Sequence, residues 1–190
     1  MASPNEATMI LLSDTDQFLL YSAIIEDVAW CLQNLNKNDT QFWRRAFIRS
    51  MFAFVEGMTF RMKKAVLIVH EKMPLNLTEA EIAVLKEVSY SLNDGKAKEE
   101  NMHITLMSNF TFAYRMYFSL LNHTDDLAVQ KQNDSNGFDA FKKAIRIRDR
   151  ITHPKSHIKM HIKDEEIETV RKAFEWYQKV NKNIFALSST

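Results

Sequence analysis

The residues best placed to do chemistry lie late in the chain, in Arg148-Asp149-Arg150-Ile151-Thr152-His153-Pro154. They sit in a strongly basic block. From Lys142 to Lys163 there are eight basic residues against one acid, a formal +7 that leaves −6 for the rest of a chain whose total is +1. Such a block attracts phosphates by steering and by counterion release, although a solvated helix face has the same composition. At about 100° per residue, Phe138, Phe141, Ala144, Ile145, Ile147 and Ile151 share one apolar arc with Arg148 in its middle, while Lys142, Lys143, Arg146 and Arg150 point the other way. A guanidinium facing a core or interface is costly unless a partner or ligand satisfies it. An ion pair with Glu56 is one solution, and a bound phosphate is another. His153 stands at the end of the same helix, where carbonyl ends favour a protonated ring. Asp149, four residues earlier, is positioned to orient the imidazole and favour its charged form. Arg148 and His153 are five apart, so they converge only if the helix end unwinds or if two chains combine their copies.

A second stripe, Arg45, Arg49 and Glu56, runs along an otherwise apolar helix. It reads either as a solvent-facing strip or as a further wall of a phosphate-binding cleft. Nothing local places it near Arg148. His153, His157 and His161 have metal-like spacing only on a continuous helix, and Pro154 interrupts it. In an extended segment His157 and His161 stand about 13 Å apart, so neither a metal nor any other cofactor is expected. Phosphate-loop, dinucleotide-binding, serine-hydrolase and zinc-protease motifs are all absent. Cys31, the one cysteine, lies in an apolar helical pattern and reads as core.

These residues need a scaffold of helices. Only three Gly and three Pro, with 46% hydrophobic residues, argue against a turn-rich β protein. Helices are expected from about Thr15 to Leu35, with Asp14 and Gln17 as a capping box, and from about Thr40 to Glu71. Further helices are expected from Thr78, with a capping box to Glu81, to about Leu92, closed by Asn93-Asp94-Gly95; along Leu106 to Leu120; from about Phe138 to Thr152; and after Asp164 as cap. The loops are a polar stretch from Lys96 to Asn101, a mobile one over 123–137, and an extended 157–162. The first 12 residues look flexible. The sum is an all-α fold, one helical bundle of about six helices over residues 1–190. With no leader-like N-terminus and no run long enough for a membrane span, a cytoplasmic protein with no membrane partner is expected.

Arg148 to Pro154 resembles the motif of HEPN domains: an arginine, a polar residue, and a histidine four to six residues after the arginine, at the end of a late helix in an α-helical bundle. The resemblance implies a homodimer with both motif copies lining one cleft, and RNA cleavage that needs no metal. It gives Arg148, His153 and Asp149 the catalytic positions, with His153 deprotonating the 2′-hydroxyl and Arg148 holding the phosphate. Arg150, Arg146, Lys155, Arg45 and Arg49 are then the phosphate-binding set. The same resemblance also covers domains that are not nucleases. Some of those bind nucleotides, some pair with an antitoxin-like nucleotidyltransferase partner, and some only dimerise.

Overall fold

The computed structural model describes residues 15–121 and 133–187, with side chains from 19 to 182 within them. Among these are six α-helices and one two-stranded sheet. In chain order they are α1 (Thr15–Lys37), α2 (Gln41–Lys72), α3 (Glu79–Lys86), β1 (Val88–Asn93), β2 (Lys96–Asn101), α4 (Leu106–Leu120), α5 (Ser135–Thr152) and α6 (Asp164–Leu187), with a 3₁₀ turn at His157–Met160. The mostly helical class agrees with the sequence reading. The flexible start, the Asp14–Gln17 capping box and most of the expected 123–137 loop fall outside the described residues. No helix among the described residues is long and apolar enough to cross a membrane.

The described residues divide into two compact units. One takes α1, α2 as far as Met58, α5 and α6. Its core is an aromatic chain. Phe141 of α5 meets Phe52 of α2 and stacks on Tyr177 of α6, and Tyr177 lies edge-on to Phe54 of α2, which meets Tyr21 of α1. Every described member of the α6 stripe, Ile167, Val170, Phe174, Tyr177 and Val180, is buried. Helices α5 and α6 pack closely, and Gly137 makes this possible at the start of α5. A Cβ there would stand 2.7 Å from Trp176 Cδ1. Asp134 starts that helix by accepting a 2.8 Å hydrogen bond from the Gly137 amide. Helix α6 opens differently from the expectation. Asp164 is its first residue and not the cap. The cap position belongs to Lys163, whose amide donates to Glu166 Oε2. Cys31 is half-buried and not a core residue, and Phe42 is 61% exposed although its helix is largely buried.

The other unit takes the rest of α2, α3, the hairpin and α4. Val66, Leu85 and Met116 form its centre, with Leu75 and Phe112 against them. The capping box of Thr78 and Glu81 is present in full. Helix α3, however, stops at Lys86. Glu87 adopts a left-handed backbone, and the chain turns into a hairpin pairing Val88 with Asn101 and Asn93 with Lys96. Asp94 and Gly95 both have positive φ, 50° and 75°, the two-residue turn whose twist suits a hairpin. Asn93-Asp94-Gly95 is therefore a strand connection and not a helix end. The alternation of Val88, Tyr90 and Leu92 with serines is its period-two signature. Lys63 is 1% exposed. Its ammonium donates to Glu87 Oε1 at 2.8 Å and to Asn109 Oδ1 at 2.9 Å.

Candidate functional site

Helix α5 ends just before His153. Thr152 is its last helical residue. His153 leaves the helix with φ −119° and ψ 62°, while its amide still donates to the Asp149 carbonyl. The ring is exposed and has no hydrogen-bond or ion-pair partner among the described residues. Asp149 does not orient it. That carboxylate turns to Arg148 Nη1, 3.0 Å away, because a neighbouring cation is a stronger partner than a ring carried out of the helical row.

Arg148 is held from a second side by Glu56 of α2, which accepts from Nη2. Arg49 and Glu56 of the stripe are thus brought to the motif by the packing of α2 on α5. Arg49 Nη2 also donates to the Ile151 carbonyl at 3.1 Å, satisfying one of the open acceptors at the end of α5. Arg49, Glu56, Arg148 and Asp149 together are formally neutral. The Arg148 side chain is 23% exposed, against 43% for Glu56 and 55% for Asp149. Ion pairs with carboxylates this exposed are each worth on the order of 0–1 kcal/mol. They aim the guanidinium without locking it, and a phosphate can displace them.

The remaining expected phosphate ligands separate. Arg150 is not on an open cationic face. Its Nη1 donates to the Lys159 and His161 carbonyls at 2.6 and 2.9 Å, and its Nη2 forms a fork with Glu166 at 2.7 and 2.8 Å. Arg45 turns to the Met160 carbonyl at 3.4 Å. Both hold the segment between α5 and α6 in place. That segment is not extended as expected, since residues 157–160 form a 3₁₀ turn. Its own bonds run from the Lys159 amide to the Ser156 carbonyl and from the His161 amide to the Ile158 carbonyl. Arg146 and Lys155 are exposed and, with Lys143 and Lys159, have no carboxylate partner among the described residues. The +7 block thus reduces to four openly available cations. Gln41 and Glu166 anchor this segment. No local pattern marks Gln41, which lies 121 residues from Ile162, whereas Glu166 takes the Lys163 amide three residues earlier at the helix start.

Near this anchor the Arg44 guanidinium is held well above its usual range by its hydrogen bond to Asp39, with Asp164 adding to it, and Asp39 is correspondingly lowered. Among the described residues no group of three or more His, Cys, Asp or Glu side chains is arranged to hold a metal ion. Comparison of the chain with protein-family models, curated proteins and solved structures finds no match.

Proposed function

We propose that the face carrying Arg148 and His153 cleaves RNA in the manner of HEPN nucleases, as a homodimer and without a metal. The observation behind this reading is the end of α5 at Thr152. It leaves the His153 ring exposed and unpartnered on the segment that follows a guanidinium aimed by two displaceable carboxylates. A phosphodiester replaces Glu56 and Asp149 on Arg148, and the fork geometry of guanidinium suits two phosphate oxygens. Neutral His153 takes the proton of the ribose 2′-hydroxyl as that oxygen attacks phosphorus. The O2′–P bond forms and the P–O5′ bond breaks. The products are a 2′,3′-cyclic phosphate and a 5′-hydroxyl, which takes its proton from the medium. Arg148 and Arg49 balance the charge that builds on the phosphoryl oxygens.

The test is incubation of a mixed RNA pool in EDTA with the wild type, His153→Ala and Arg148→Lys. Cyclic-phosphate ends are expected from the wild type alone. Arg148→Lys, which keeps the charge and loses the fork, should fall at least tenfold. Equal cleavage by His153→Ala, or none by the wild type, sinks the reading. The double engagement of Arg148 favours one other reading, a non-catalytic module that binds an anionic ligand or a protein partner. Its signature is RNA gel-shift binding that His153→Ala leaves unchanged, with no cleavage by either protein.

A further inference from the structure

Between α5 and α6 the chain forms a strap, from His153 to Lys163, whose backbone is anchored from Lys159 onward and most of whose side chains are exposed. The anchoring is extensive. Ile162 is fully buried, and its amide and carbonyl both bond to the Gln41 side chain at 2.8 Å. Arg44 adds a second bond to the Ile162 carbonyl at 2.8 Å. Arg150 takes the Lys159 and His161 carbonyls, and Arg45 the carbonyl of Met160. Three arginines and a glutamine are thus spent on one short connection. Gln41 and Arg44 satisfy the buried Ile162 backbone, whereas the carbonyls of Lys159 and His161 belong to exposed residues that water could serve, so the Arg150 bonds to them exceed what a simple connection needs.

The side chains this scaffold presents include no acid. Lys155, Ser156, His157, Lys159 and His161 are all exposed, Ile158 is 81% exposed, and no acid occurs from Arg150 to Lys163. Lys155 and Lys159 have no ion-pair partner among the described residues. On the shoulder of α2, between Gln41 and Arg45 that hold the strap, the Phe42 ring is 61% exposed. Cations on an anchored segment and an exposed aromatic ring, here packed edge-on to Trp43 with centroids 5.0 Å apart, are elements of single-strand nucleic-acid recognition. The cations take phosphates, and the ring offers a platform to any base.

We propose that this strap is a binding track for single-stranded RNA, with Lys155 and Lys159 on successive phosphates and Phe42 under a base. The RNA then runs from the strap to His153, where the strap begins. The choice of RNA as ligand rests on the function proposed above, but binding at the strap does not require that His153 cut. Arg150, Gln41 and Arg44 are positioning residues here, acting through the strap backbone.

The test is fluorescence anisotropy of a labelled 12-nucleotide single-stranded RNA across a salt series, with every protein carrying His153→Ala to prevent turnover. Lys155→Gln with Lys159→Gln should weaken binding and lower the log–log salt slope by about 1.4, about 0.7 for each phosphate no longer neutralised. Phe42→Ala should weaken binding about 5- to 150-fold, the range of one missing base stack, with the slope unchanged. The track is refuted if the wild-type background binds no RNA, or if the double variant keeps both affinity and slope. It is refuted too if oligo-glutamate displaces the RNA as well as unlabelled RNA does, which would make the strap a general polyanion surface. Strap-dependent binding without cleavage by the wild type would leave the track standing and remove the nuclease. Cleavage dependent on His153 with binding indifferent to the strap would do the reverse.

Discussion

Arg150 separates a phosphate ligand from a structural brace, and replacing it distinguishes the two. Its guanidinium makes two bonds to strap carbonyls and a fork to Glu166, with both side chains about one quarter exposed. The carbonyls lie on an exposed segment and regain water when the arginine is removed, so each bond contributes about 0.5–1.5 kcal/mol. The fork with Glu166, partly screened at that exposure, adds about 1 kcal/mol. Arg150→Ala should therefore cost about 2–4 kcal/mol. At about 2–4 °C per kcal/mol for a chain of this size, thermal denaturation followed by circular dichroism should shift down by roughly 4–16 °C. Arg150→Lys keeps the charge but cannot reach two carbonyls and a carboxylate in one plane, so it should recover less than half of the loss. Hydrogen exchange should meanwhile accelerate at the strap amides and not in the core of α6. If Arg150→Ala melts within 1 °C of the wild type and only RNA affinity falls, the brace is wrong and Arg150 is a phosphate ligand after all.

Gly137→Ala pushes a methyl group into Trp176, with 2.7 Å available. Overpacking of this kind costs about 1–3 kcal/mol, read as a lower denaturant midpoint with unchanged slope. Asp134→Ala should cost about 0.5–2 kcal/mol at neutral pH, the usual worth of a helix cap. The Gly137 amide and Lys179 hold the Asp134 carboxyl below its ordinary range. Its stabilisation is therefore present above the unfolded carboxylate range and is lost as pH falls through the lower folded value, so the two proteins should converge in stability in acid. Glu87 is likewise lowered, first by its hydrogen bond from Lys63. Glu87→Gln should flatten the acid limb of the stability–pH curve below about pH 4.3, the ordinary glutamate value, and an unchanged limb would exclude that pair as a contributor.

Local signals carried much of this protein. Apolar residues at helical spacing located α1, α2, α4, α5 and α6, because a helix that buries one face must repeat every three to four residues. Thr78 and Glu81 marked a helix start because the capping box is closed within four residues. Asn93-Asp94-Gly95 misled because the same residues end helices and turn hairpins, and only the pairing of Val88–Asn93 with Lys96–Asn101 decides between them. At the site, the sequence alone marked Arg148 as an arginine needing a partner and His153 as a residue at a helix end. Which partner each charge found was a matter of tertiary packing. Glu56 reaches Arg148 from 92 residues away, and Gln41 reaches Ile162 from 121. Arg150 became a brace and not a ligand because the chain, after Pro154, folds back across it. Helical periodicity reports which face a residue occupies, but an ion pair depends on what another element brings to that face, and no spacing within one helix encodes that.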